Sequence, residues 1–178
     1  MKLIAITKPD FYDGEAAFIK KLFESGFDIV HLRKPNSDID NCRNILNELS
    51  SEERSRIVVH DYPELYYEFL LKGIHINKNI VKYPEGYQGF KTRSCHSLEE
   101  VMLYKDDFDY VFLSPIFDSI SKQGYKSAFT QDELRRASQE GIIDEKVVAL
   151  GGVTFEKISL LKDLGFGGAA MMGGAFIS

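Results

Sequence analysis

Cysteine is scarce, and its scarcity excludes a good deal. Cys42 and Cys95 are the two in 178 residues. Their spacing suits neither a cysteine metal site nor a disulfide framework, so a reducing cytoplasm is the expected location. There is also no run of lysines and arginines, and the net charge is −5. No nucleic-acid partner is expected, and an anionic ligand has to be held by local donors against the overall field. Long apolar runs are missing too. The N-terminal Met1-Lys2-Leu3-Ile4-Ala5-Ile6-Thr7 is too brief for a signal peptide or a membrane span, so no membrane partner is expected either. What is present is 44% hydrophobic residues and evenly spread charge. That composition supports one sizeable core, and no break suggests a second, so 1–178 reads as a single domain.

Short β-branched apolar runs alternate with amphipathic segments. Strands are expected at Leu3–Ile6, Asp28–Arg33, Ile57–His60, Gly73–Ile76, Phe90–Ser94, Tyr110–Ser114, Val147–Leu150 and Gly168–Met172. Helical patterns fill Gly14–Ser25, Asp38–Leu49, Pro63–Leu71, Ser97–Tyr104, Gln131–Gln139 and Thr154–Leu164. Caps are expected from Ser37 or Asp38, from Ser97, and from Thr154, with left-handed C-caps at Gly26, Gly73 and Gly165. Eight strands in a βαβ rhythm predict a (β/α)8 TIM barrel, with an open doubly wound sheet as the alternative. The pattern departs from the ideal barrel twice: a loop replaces the helix after strand four, and no helix follows strand eight before Ser178. The apolar wall this leaves between the first and seventh helices calls for a partner, such as a second copy in a homodimer, or for chain beyond Ser178.

Chemistry-bearing residues gather at strand ends. His96 follows the fifth strand and precedes Ser97, which with Glu100 has the pattern of a capping box. A helix N-terminus there repels an imidazolium and favours a ring ready to accept a proton, so His96 is the candidate base. On strand two, alternation sends Val30 and Leu32 towards the helices and Ile29, His31 and Arg33 inward. His31 and Arg33 then need partners. An anion-binding mouth accounts for them better than a buried network with Asp61. His60 or Asp61 reaches the same rim, and His75 reads equally well as an interior histidine. The loop carrying Ser119, Ser121 and Lys122 suits a phosphate, though a solvated loop explains it too. Gly151-Gly152 and Met172-Gly173-Gly174 end the last two strands, the customary phosphate position of such barrels.

The motifs His31-Leu32-Arg33, Ser94-Cys95-His96-Ser97-Leu98-Glu99-Glu100, Asp109-Tyr110-Val111, Ile116-Phe117 leading to Ser121-Lys122, and Ala149-Leu150-Gly151-Gly152 resemble the thiamine phosphate synthase family. The resemblance is nearest to its thiazole tautomerase branch and runs along almost the whole chain. It implies a small phosphorylated thiazole as substrate, or thiazole or thiamine phosphate as the ligand of a non-catalytic barrel that acts as a regulator. The phosphate would sit on the amides of Gly152, Met172 and Gly173, beside Ser94 and the loop from Ser119 to Lys122. In a tautomerase, which needs no metal, His96 would carry the proton while His31 and Arg33 held the substrate. In a synthase, magnesium would sit on the pyrophosphate with Asp61 as a ligand. This chain departs from the synthase pattern at Pro35, where a lysine is expected beside Lys34, and at Ile80, where a second carboxylate is expected.

Overall fold

The computed structural model describes residues 1–77, 80–118 and 127–172. Eight parallel strands follow one another in sequence order around a closed barrel. They are β1 (Lys2–Ile6), β2 (Ile29–Leu32), β3 (Ile57–Val59), β4 (Gly73–Ile76), β5 (Phe90–Cys95), β6 (Tyr110–Leu113), β7 (Val147–Ala149) and β8 (Gly168–Met172). Helices α1 (Glu15–Glu24), α2 (Ile39–Glu48), α3 (Ser51–Arg54), α4 (Glu64–Phe69), α5 (Leu98–Tyr104), α6 (Gln131–Gln139) and α7 (Ile158–Asp163) connect them. The expected TIM barrel is the observed one. Every residue of β2, β3, β6 and β7 is buried, as in strands covered on both faces. No helix among the described residues is long and apolar enough to cross a membrane.

The chain divides into two compact units, residues 4–91 and residues 1–3 with 92–178. In the first, Ile6 pairs with His31, His31 with Val58, and Val59 with Ile74. The described part of the segment after β4 holds no helix, as expected. Tyr87 fastens it: its hydroxyl accepts from the Ile74 N–H at 2.8 Å and donates to the Phe90 carbonyl at 2.6 Å. In the second unit, Cys95 pairs with Leu113, Leu113 with Ala149, and Ala149 with Ala169. Gly167 is demanded by close approach, since a Cβ there would lie 1.9 Å from the Glu145 carbonyl oxygen. The expected absence of a helix after β8 concerns residues 173–178, outside those described.

Local signals held where side chains had free choice and failed where packing intervened. Asp38 caps α2, its carboxylate accepting from the Asn41 N–H at 3.0 Å. Gly26 and Gly165 follow their helices with φ of 94° and 80°. The left-handed residue after α4 is Leu70, φ 53°, and not Gly73. Gly73 lies in β4, where a Cβ would meet the Phe90 carbonyl oxygen at 2.3 Å. Thr154 does not cap through its side chain; the segment opens with a 3₁₀ turn, Phe155–Lys157, and the Thr154 hydroxyl is buried without a partner.

Candidate active site

His96 stands one residue beyond β5, with its side chain exposed. Ser97 caps α5 by accepting from the Glu100 N–H at 3.2 Å. The reciprocal arm differs from the expected capping box. The Glu100 carboxylate reaches past Ser97 and accepts from the His96 N–H at 2.6 Å. The same helix turn therefore fixes the His96 backbone as well as its own start. The ring is held from β6: Nδ1 lies 3.2 Å from the Ser114 carbonyl oxygen and 3.3 Å from the Ser114 hydroxyl. A carbonyl can only accept, so that contact assigns the ring proton to Nδ1 and leaves Nε2 as the lone-pair nitrogen.

Cys95, next to His96 in the chain, is fully buried, and burial pushes its thiol up to about 11. It is a protonated core residue near neutral pH and unsuited to proton abstraction. Ser94 is half-buried on β5, paired in register with Phe112.

The turn after β7 is built from two left-handed glycines, Gly151 at φ 93° and Gly152 at φ 60°. The space a side chain would occupy at either glycine is already taken by protein. A Cβ on Gly152 would meet the Asp118 carbonyl oxygen at 2.4 Å, and one on Gly151 the Cα of Pro115 at 2.8 Å. Glycine is needed here so that the turn can lie against the Pro115–Asp118 segment. The Phe117 N–H donates to the Gly151 carbonyl at 3.1 Å, and Lys157 Nζ donates to the Gly152 carbonyl at 2.6 Å. The Gly151, Gly152 and Val153 N–H groups donate to no partner among the described residues, and the unpartnered Thr154 hydroxyl is next in the chain. N–H groups at a strand end are suitable donors for an anion. Met172 ends β8 and is 43% exposed. Gly173 and the loop residues Ser119, Ser121 and Lys122 lie outside the described residues.

In the unit 4–91, His31 is fully buried, and its neighbours are histidines rather than Asp61. His31 Nδ1 lies 2.7 Å from His60 Nε2. The His60 and His75 rings stack with centroids 4.1 Å apart. Burial, reinforced by the neighbouring rings, holds His31 and His60 well below the usual histidine range, so both are neutral. Arg33 is half-buried and exchanges backbone hydrogen bonds with the Thr7 hydroxyl at 3.0 and 3.3 Å. Taken one strand at a time, His31 and His75 give no sign of belonging together. The alternation of three consecutive strands was the available signal for grouping them.

The magnesium implied for a synthase can be tested on these residues, because Mg²⁺ requires oxygen ligands. Asp61 Oδ2 accepts from the Lys34 N–H at 3.2 Å. Ile80, where the resemblance asks for a second carboxylate, is apolar and 8% exposed. Lys34, the lysine nearest the missing one, is also committed elsewhere. Its Nζ contacts both Glu15 carboxylate oxygens at 2.6 and 2.7 Å and the carbonyls of Lys8 and Asp10 at 2.9 Å each. Of the two carboxylates the resemblance asks for, Asp61 is present and the second is replaced by Ile80.

A solved structure described as thiamine phosphate pyrophosphorylase from Bacteroides thetaiotaomicron matches with a TM-score of 0.89 and 43% identity, over 97% of this chain and 83% of that one. One from Pyrococcus furiosus, also described as thiamine phosphate pyrophosphorylase, matches with a TM-score of 0.75 and 19% identity, covering 96% of this chain and 85% of that one. That second likeness bears on the fold alone. The thiamine-phosphate synthase of Limosilactobacillus reuteri is 30% identical over 129 residues, which span 68% of this chain but 59% of the relative's own length. The model of the family described as thiamine monophosphate synthase matches residues 3–175, and the chain belongs to that family.

Proposed function

We propose that this family member is a thiazole phosphate tautomerase. It would move a proton from a ring carbon of a carboxylated thiazole phosphate to the exocyclic carbon, leaving the ring aromatic. The observation that carries this reading is the contact between His96 Nδ1 and the Ser114 carbonyl, 3.2 Å, at the end of β5. It leaves Nε2 to take the proton from carbon, and the resulting imidazolium can return it to the exocyclic position. The electron pair freed at the ring carbon is delocalised into the aromatic ring as the second C–H bond forms. The amides from Gly151 to Val153, which have no partner among the described residues, and the Thr154 hydroxyl would take the phosphate. By the resemblance, Ser94 and, outside the described residues, Gly173 and Ser119–Lys122 would complete the phosphate site.

A second reading, thiamine phosphate synthase, is favoured by the names of the relatives. Its chemistry expels pyrophosphate, for which Ile80 and the committed Lys34 are poor substitutes for a carboxylate and a free lysine. One pair of assays separates the two. Carboxythiazole phosphate followed by NMR should convert between tautomers at an enzymatic rate. Thiazole phosphate with pyrimidine diphosphate and magnesium should yield no thiamine phosphate. The reverse result would overturn the tautomerase and establish the synthase.

A further inference from the structure

Three of the chain's four histidines meet in one place, and the proposed proton shift uses none of them. His31 lies on β2, His60 immediately after β3 and His75 on β4. The register explains the meeting. Val59 pairs with Ile74, so the next residues, His60 and His75, fall opposite each other and on the same face. His31 pairs with Val58, two residues before His60, and so shares that face one layer away. The three residues are 0, 6 and 2% exposed. Each presents a nitrogen, and the three nitrogens lie within 4.8 Å of one another.

We propose that His31, His60 and His75 form a binding site for a divalent transition metal of the zinc type, with a fourth position left for water or a small ligand. Imidazole nitrogen suits zinc, nickel, copper and iron, whereas magnesium and calcium require oxygen. Three histidines with one open position is an established zinc donor set. Zinc–nitrogen bonds of about 2.0–2.1 Å place tetrahedral ligand atoms about 3.3 Å apart. The cluster is thus assembled to within about 1.5 Å, and ring rotation that fans out the His60–His75 stack supplies the remainder. The hydrogen bond between His31 Nδ1 and His60 Nε2 is replaced by two metal–nitrogen bonds. Its proton moves to the other nitrogen of the same ring, so that His31 Nδ1 and His60 Nε2 can both bind the metal. The site ties together three adjacent strands, and it stands whether the reaction is a tautomerisation or a synthesis.

The test uses the full chain, stripped with chelator and titrated with Co²⁺ and then with Zn²⁺ against a chromophoric competitor. One equivalent of Co²⁺ should give the intense visible absorption of a four-coordinate ion, and Zn²⁺ should displace it while Mg²⁺ does not. His60→Asn and His75→Asn should each weaken binding at least ~100-fold, beyond the 10–100-fold typical of losing a supporting residue. His96→Asn, which removes the one histidine outside the cluster, should leave affinity unchanged. Imidazole ¹⁵N shifts of the wild type answer the question even if a variant does not fold. Zn²⁺ should move the signals of His31, His60 and His75 and not that of His96. Weak six-coordinate absorption, affinity indifferent to His60→Asn and His75→Asn, or shifts confined to His96 would overturn the proposal.

Discussion

Lys34→Met separates a structural lysine from a substrate-binding one. The side chains of Lys34 and Glu15 are 0 and 2% exposed, and the ammonium is surrounded by both carboxylate oxygens and two backbone carbonyls at 2.6–2.9 Å. Methionine fills the same volume but leaves a buried carboxylate and two carbonyls without their donor. Breaking a buried pair in this way costs about 3–5 kcal/mol. With a urea dependence of about 2 kcal/mol per molar, the unfolding midpoint should fall by roughly 1.5–2.5 M.

Glu15 sharpens the prediction. Its carboxyl is raised above the ordinary glutamate range because burial outweighs the attraction of Lys34. A raised acid contributes stability that is complete below its unfolded value and is lost as pH rises through its folded value. Removing the lysine raises Glu15 further, so the Lys34→Met penalty should be largest near neutral pH and shrink towards pH 4. Replacing both partners, Lys34→Met with Glu15→Leu, should return stability to within about 1 kcal/mol of wild type or above it. Activity per folded molecule should not change in either variant. A Lys34→Met cost below about 1 kcal/mol, or a double variant as unstable as the single one, would refute the argument. Lost activity with stability intact would make Lys34 a ligand-binding residue.

His96→Asn should lower tautomerase turnover by roughly 10²- to 10⁴-fold with little change in thiazole phosphate affinity, measured by NMR turnover and calorimetry. Cys95→Ser should retain most of that turnover; a collapse there with His96→Asn still active would make the thiol the base. Because burial raises both thiols to about 11, native protein at pH 7–8 should react with less than one equivalent of a disulfide reagent over minutes, and with two after denaturation. Gly152→Ala, strained at φ 60° and pressed against Asp118, should reduce the preference for thiazole phosphate over thiazole alcohol by on the order of 3 kcal/mol. Equal wild-type affinity for the two compounds would show that no phosphate site exists at that turn.

The barrel was legible because its signals are local. Gln131–Gln139 carries its own capping box, Thr130 with Glu133, and Gly168–Met172 is bounded by glycine; both segments fall where the pattern puts them. Helix α3 escaped because four residues leave too little periodicity, although the Ser50–Glu53 capping box stands in the sequence. The site divides on the same line. His96 could be found because strand end, cap and histidine are consecutive, whereas Ser114, which orients its ring, is 18 residues away. Lys34 shows the converse error. Beside a missing lysine it resembles a replacement, and only the partner 19 residues earlier in the chain reveals that its charge is already engaged. The three buried histidines needed register as well as alternation. Taken singly, each is an ordinary interior ring. Two residues of offset between His31 and His60, and none between His60 and His75, turn three separate strands into one nitrogen-lined cluster. Parallel pairing of consecutive strands thus constrains chemistry more tightly than any one strand, because it decides which inward side chains share a layer.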